Sequence, residues 1–247
     1  MIDLIAKSFH EFLTNKSFLE MMRCEGLVPV FLGAIRKFRD ELLRRLGLLN
    51  PRSLELEVLR VLSSIRSGEV FVDVGAFEGI YSLFCAERGC NVFAFEPNPA
   101  TFERLSKRLS KHRNVVCYNL ALGDKKESKD LYMPENAPDQ SSMSILQKHG
   151  RVKAVKVNVE RLDDFHNIRP DIMKIDVEGY GYNVLLGSCE TLDVYHPQII
   201  LEFHSIEEYK KCKDCLEGKG YVVKLLDYWK DHGHIYAYHH SQSCKIS

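Results

Sequence analysis

The sequence predicts an α/β fold, a mostly parallel seven-stranded sheet flanked by helices, with a helical extension in front of it. Two observations carry this expectation. From Gly68 onward, short β-branched runs alternate with helix-length amphipathic segments, the pattern of βαβ units around a parallel sheet. The last two apolar runs, 221–226 and 233–239, stand too close together for a crossover helix, so they should pair antiparallel and give the sheet an antiparallel last strand. A chain of 247 residues has room for one full α/β domain and an appendage.

The appendage is residues 1–66. Phe9, Phe12 and Leu13, then Phe38, Leu42, Leu43 and Leu46, recur at helical spacing, and Pro29 and Pro51 punctuate the pattern. This predicts a helical N-terminal extension packed on a domain spanning 67–247. Its stretch from Arg36 to Arg45 is basic and amphipathic, but Asp40 and Glu41 dilute the charge, so it reads as a solvated helix face before it reads as a membrane or RNA surface. Strands are expected at 69–74, 91–96, 115–120, 171–176, 198–203, 221–226 and 233–239, with helices in most of the gaps. Residues 124–160 are the irregular part. There 131–133 and 152–159 read as added strands around a loop rich in Pro, Asn, Asp and Ser, and loops of that length usually serve function. Ser141, Ser142 and Ser144 read as turn residues first and substrate contacts second.

Composition excludes several classes. Lys+Arg and Asp+Glu are equal at 34 each, so the chain has no overall basic field and nucleic acid is disfavoured as a partner. The N-terminus carries an acid at position 3 and no uninterrupted apolar run, unlike a secretory signal. No stretch reaches the roughly 18 apolar residues of a membrane span, and a cytoplasmic protein is expected. Cys85, Cys117 and Cys189 sit in apolar segments, where a thiol behaves as a small hydrophobe. Cys212-x-x-Cys215, with His239, His240 and Cys244 downstream, has a spacing used for zinc or a disulfide. It lacks a second properly spaced pair, so the cysteines read as ordinary thiols and no metal ligands are assigned.

The run from Val70 to Gly79 places Asp73 at the end of an apolar strand and Gly75 and Gly79 in the turn opening the next helix. Phe77 occupies the middle of that turn, so the G-x-G-x-x-G pyrophosphate cradle is absent, and an acid just before the turn would repel phosphate while favouring positive charge. The next strand ends in Glu96, about 20 residues further on, where acids bind ribose hydroxyls in this architecture. Each acid alone has a helix-cap reading. Together with the glycine turn they point to a nucleoside-containing cofactor. The strand 171–176 then runs into Val177-Glu178-Gly179, putting Asp176 and Glu178 at the carboxyl end of a central strand, and the following strand leads to Glu202 and His204. Alternation sends the members of each pair to one side if strand geometry continues. Lys174 reads as an outward strand side chain. Phe165, Tyr180 and Tyr182 read as core, or as walls of an acceptor pocket.

Several blocks, Phe71-Val-Asp-Val-Gly-Ala with Gly79, Phe95-Glu-Pro-Asn-Pro, Asn119-Leu-Ala-Leu-Gly-Asp, Leu162-Asp-Asp-Phe, Met173-Lys-Ile-Asp-Val-Glu-Gly and Ile200-Leu-Glu-Phe-His, resemble the FkbM-type methyltransferase family over roughly residues 68–205. The resemblance implies a class I Rossmann-like methyltransferase fold, S-adenosylmethionine as methyl donor and commonly a hydroxyl acceptor on a small molecule or glycan. It would set Asp73 and Gly75 beside the methionine part of the donor, and would count Ala76, Phe77, Gly79 and Asp176 among the cofactor-binding residues. Glu96 would hold the ribose, and Asn98 and the Ala121–Asp124 turn would border adenine. Where Phe77 stands the family usually has asparagine, so one polar contact is missing. Methyl transfer is an in-line displacement served largely by positioning. An alcohol acceptor also gains from a base, and His204 is the natural candidate, with Asp176 or Glu178 orienting the acceptor, acting as base or sharing a cation. The competing account of His204 is a residue satisfied at a helix start. The other functional readings are an RNA or protein methyltransferase gripping its substrate with residues 1–66, a catalytically silent module, and a nicotinamide oxidoreductase, which the missing glycine and Asp73 disfavour.

Overall fold

A computed structural model describes residues 16–26, 30, 55–134, 152–229 and 232–242. The early periodic residues Phe9 to Leu13, the segment from Phe38 to Leu46, the basic stretch Arg36–Arg45, Ser141, Ser142, Ser144 and Cys244 lie outside them. The extension contributes α1 (Lys16–Glu25) and α2 (Leu56–Leu62). Then follow β1 (Val70–Val74), α3 (Ile80–Ala86), β2 (Asn91–Phe95), α4 (Pro99–Leu109), β3 (Val115–Tyr118), β4 (Ala121–Leu122), β5 (Glu127–Pro134), β6 (Val152–Glu160), β7 (Ile172–Ile175), α5 (Gly181–Leu186), α6 (Cys189–Tyr195), β8 (Gln198–Phe203), α7 (Ile206–Gly218), β9 (Tyr221–Trp229) and β10 (His232–His239). No helix among the described residues is long and apolar enough to cross a membrane.

The seven-stranded sheet has the order β3-β2-β1-β7-β8-β10-β9. The pairs β2–β3, β1–β2, β1–β7 and β7–β8 are parallel, and β10 is antiparallel to both neighbours, β8 and β9. The last strand thus lies between its two predecessors, and the short connection after β9 makes its pairing with β9 antiparallel. The third strand stops at Tyr118 rather than 120, because the Asn119 side chain turns back to donate to the carbonyls of Glu96 and Pro97. The added strands form a separate sheet, β4-β6-β5, in which β5 is longer than the expected 131–133.

Period-2 alternation divides the core between the sheet's two faces. Phe71, Ile172, Ile200 and Tyr236 pack with Val58, Val61 and Leu62 of α2 and Cys85 of α3. Val72, Val74, Met173, Ile175, Ile199 and Leu201 pack on the opposite face with Met21 of α1 and Tyr209, Cys212 and Leu216 of α7. Both described helices of the extension therefore bury side chains against the sheet. Cys212 and Cys215 are free thiols on α7.

On the face carrying Phe71, charged groups gather near the strands' carboxyl ends. Asp73 is registered with Lys174, Glu202 with His234, and His234 with Asp227. Lys174 is only 3% exposed, which corrects its outward reading. Alternation does turn it away from Met173 and Ile175, but α3 covers the side it faces, with the Tyr81 ring 4.9 Å from Nζ. Its ammonium lies 3.0 Å from Asp176 Oδ2. Burial pulls the Lys174 pKa down, but Asp176, Asp73 and Glu202 outweigh it and hold the ammonium charged. Replacing Lys174 by Met should cost about 3–5 kcal/mol, the usual loss when one partner of a buried pair is removed. Urea unfolding measures this, and a loss below about 1 kcal/mol would show that the lysine does not neutralise the layer.

Candidate active site

A cavity of about 320 Å³ opens where the carboxyl ends of β1, β2 and β7 meet the small sheet. That lies within the roughly 300–1,000 Å³ range of small-molecule sites. Gly75 and Phe77 line it from the loop after β1, Glu96 and Pro97 from the loop after β2, and Asp176 and Glu178 from the loop after β7. Ala121, Leu122 and Leu131 contribute the side formed by β4 and β5.

The first loop takes its shape from glycine. Gly75 has φ 76°, and a Cβ there would lie 1.8 Å from the Asp176 carbonyl oxygen, so the loops after β1 and β7 touch backbone to backbone. The N–H groups of Gly75 and Ala76 both donate to the Phe95 carbonyl at 3.0 Å. Gly79, also at φ 76°, is the N-cap of α3, and a Cβ there would meet Leu105. Phe77 and Glu178 adopt left-handed backbone at φ 51° and 47°, unusual for residues with side chains and costing about 1–3 kcal/mol each. Both line the cavity.

Glu96 ties this loop to the next one. Its Oε2 accepts the Phe77 N–H at 2.9 Å and its Oε1 accepts the Asn98 N–H at 2.8 Å. Burial raises its carboxyl to about 7, against the pull of these two N–H groups. Asn98 is buried and occupied in capping α4, where its Oδ1 accepts from Ala100 and Thr101. Asp73 is fully buried behind the loop, where it accepts the Ser82 hydroxyl at 2.7 Å. Burial raises its pKa, and Lys174 opposes the rise. Asp73, Ala76, Gly79 and Asn98 therefore shape the loops from behind, while Gly75, Phe77, Glu96, Ala121 and Asp176 reach the cavity wall. Part of the wall is apolar, with Phe95, Leu120, Leu122 and Val177. Behind it the Phe95 ring stacks on Tyr118 at 4.8 Å, and Phe165 packs edge-on to both. Tyr182 packs against the core. Tyr180 accepts from Lys129 and donates to Asp124, so these aromatic residues follow their core reading.

Asp176 and Glu178 line the cavity, and Glu202 and His204 stand next to them. Strand geometry does not continue past Ile175. Asp176 and Glu178 reach the same cavity through a bend at the left-handed Glu178. Asp176, Glu202 and His204 offer atoms within 4.8 Å of one another, and His204 Nδ1 lies 3.4 Å from Glu178 Oε2. The His204 backbone N–H donates to Glu208, whose own N–H donates to the Ser205 hydroxyl in a variant of the capping box. The helix start thus occupies the backbone of His204 and leaves its ring to the carboxylates. Burial lowers the imidazole pKa, but Glu202, Glu178 and Asp176 outweigh it and the net direction is up. Burial and Glu202 raise Asp176 to about 6 against Lys174, and burial raises Glu178. Sequence reasoning missed the buried Lys174 and the lining residues Leu131 and Val177. Only the pairing of Asp73 with Lys174 in register could have signalled the first, and nothing local signals the others.

Residues 73–243 match the family described as Methyltransferase FkbM domain. The chain is 28% identical over 153 residues to a hexuronic acid methyltransferase, AglP, of Haloferax volcanii, covering 61% of this chain and 63% of that protein. It therefore spans less than two thirds of that relative's length. It is 27% identical over 180 residues to Methyltransferase 1 of Beauveria bassiana, covering 62% of this chain and 72% of the relative. Among solved structures, Methyltransferase FkbM from Methylobacillus flagellatus superposes with a TM-score of 0.51 at 19% identity, covering 77% of this chain and 47% of that one. An rRNA methylase from Streptococcus thermophilus gives 0.50 at 11%, covering 77% and 98%. These likenesses show the class I Rossmann-like methyltransferase fold.

The raised carboxyl of Glu96 has a linkage consequence. Folded, it holds its proton to about pH 7, whereas an unfolded carboxyl releases it near its ordinary 4.5. Its contribution to stability is present below that lower value and is lost as pH rises through about 7. The upward shifts of Asp176, Glu178 and His204 have the same sign. Urea unfolding from pH 4.5 to 8 should therefore show a decline that Glu96→Gln makes shallower; an unchanged slope in the variant would contradict the shift.

Proposed function

We propose that this chain, which belongs to the FkbM methyltransferase family, transfers a methyl group from S-adenosylmethionine to a hydroxyl oxygen of a small-molecule or glycan acceptor. The observation that carries the reading is the lining of one cavity, where the buried Glu96 carboxylate and the apolar Phe95, Leu120 and Leu122 share the wall with Asp176 and Glu178, and Glu202 and His204 stand next to these last two. The donor's chemistry suits it: a flat adenine against Phe95, Leu120 and Leu122, ribose hydroxyls on Glu96, and a cationic end toward Asp176. Glu96 already accepts two N–H groups, and its oxygens retain lone pairs for hydroxyl donors. Gly75 allows the close backbone approach such a ligand needs. Phe77 adds a ring to the lining where a polar contact is usual in the family, and leaves its N–H to Glu96. When bound, S-adenosylmethionine supplies an electrophilic methyl on a sulfonium.

The chain's own groups then handle the acceptor. Asp176 and Glu178 hold the hydroxyl in line, and His204 takes its proton as the oxygen becomes nucleophilic. Glu178, beside Nδ1, stabilises the imidazolium that results. Because the carboxylates raise the histidine's pKa, the active neutral form should predominate only above its usual 6.5, giving a rate limb that rises toward alkaline pH. Residues 67–247 form the catalytic domain on this reading, with 1–66 as an extension. The name of the haloarchaeal relative favours a sugar acid as acceptor class.

Titration calorimetry should show S-adenosylmethionine binding to the wild type and at least roughly ten-fold weaker binding to Glu96→Ala, the loss of a charge-assisted hydrogen bond. His204→Gln should keep donor affinity while losing about 10²–10⁴-fold in kcat on a panel of uronic acids and other glycan hydroxyls, followed by mass spectrometry. A folded wild-type protein that does not bind the donor would overturn the proposal.

A further inference from the structure

A second cluster of ionisable groups lies outside the cavity. We propose that Glu55, Glu202 and His234 bind one divalent zinc ion, with Asp227 orienting the histidine. His234 is 1% exposed and lies between Glu202 on β8 and Asp227 on β9 in the sheet register. The register of β9 and β10 shifts between His234 and Ile235, a bulge of the kind that re-aims side chains. Asp227 Oδ1 accepts the His234 backbone N–H at 3.1 Å and also lies 2.9 Å from Nδ1, with Oδ2 at 3.2 Å. In the neutral ring this places the proton on Nδ1 and leaves the lone pair of Nε2 for a ligand.

Nε2 points at two carboxylates. Glu55 Oε2 is 2.6 Å away and Glu202 Oε2 3.6 Å, both within ion-pair range, yet Nε2 makes no hydrogen bond of regular geometry among the described residues. The three ligand atoms lie within 4.8 Å of one another. Tetrahedral zinc with bonds of about 2.0–2.2 Å holds its ligand atoms roughly 3.3–3.6 Å apart, the present distance of Glu202 Oε2, so binding would move Glu55 Oε2 outward from Nε2 by about 1 Å. A carboxylate on the far nitrogen is the usual orienting partner of a metal-bound histidine.

Charge supports the same conclusion. Three carboxylates surround one imidazole, leaving surplus negative charge even when the ring is protonated, and buried unbalanced charge is costly. A divalent ion takes the place of the Nε2 proton, which is released to solvent, and no redox change is involved. In the neighbouring group Asp176, Glu202 and His204, the Lys174 ammonium on Asp176 opposes a second cation. The bound ion would tie the residue preceding α2 to β8 and β10 and fix Glu202 beside the acceptor end of the cavity. Sequence spacing conceals such a site because its ligands come from positions 55, 202 and 234.

The test uses the full chain, stripped with a chelator, dialysed and titrated with Zn²⁺ alone. The wild type should take up one equivalent, and its thermal midpoint should rise with free zinc. Glu55→Gln should bind at least ten-fold more weakly and Asp227→Asn roughly 10- to 100-fold more weakly, while folded His204→Gln keeps wild-type affinity. Glu55 is partly exposed, so its variant remains informative if changes at buried His234 prevent folding. Failure of the folded wild type to bind zinc overturns the proposal, as does binding that survives Glu55→Gln, the result expected if Cys212 and Cys215 were the ligands, or that depends on His204. Donor titration of the same sample reports separately on the methyltransferase reading.

Discussion

The cavity depends on what one buried carboxylate holds together. Glu96 accepts the backbone N–H of Phe77 from the first loop and that of Asn98 from the second, joining two strand ends that frame the cavity. Without it, two N–H groups would lie buried without their acceptor, and the left-handed turn at Phe77 would lose its anchor. The same burial that raises the pKa makes the carboxylate a strong acceptor for hydroxyl donors once it is ionised.

A second constraint is electrostatic and runs across the sheet. Asp73, Lys174, Glu202, His234 and Asp227 lie on one face above an apolar layer that includes Phe71, Ile172, Ile200 and Tyr236. Carboxylates outnumber cations in this layer, and that imbalance sets the local behaviour of titratable groups. Burial raises the Asp73 and Asp176 carboxyls, Glu202 adding to the rise at Asp176 while Lys174 opposes it, and the neighbouring carboxylates draw His204 and His234 toward protonation despite burial, which alone would favour their neutral forms. The fold accordingly places an imidazole whose proton affinity is tuned by neighbouring carboxylates beside the proposed acceptor position.

Much of this was legible in the sequence. Alternating β-branched runs and the close pair of final strands gave the sheet, because period and connection length are local properties. Gly75, Glu96 and Asp176, read from the sequence as strand-end residues, line the cavity, since the carboxyl ends of parallel strands are where loops converge. What escaped depends on which layer covers a residue. Lys174 and an outward-facing lysine show the same alternation, and only α3 lying over that face buries it. The burial of Asp73 behind the loop, where it accepts the Ser82 hydroxyl and faces the charge of Lys174, likewise has no local signal in the sequence. The cluster of Glu55, Glu202 and His234 joins residues remote in sequence and has no linear signature.

A crystal structure of the protein with S-adenosylhomocysteine tests the central claim most directly. The account places the ribose hydroxyls within hydrogen-bonding distance of Glu96, adenine against Phe95 and Leu122, and the sulfur toward Asp176. A ligand bound elsewhere, or one whose ribose turns away from Glu96, would contradict it.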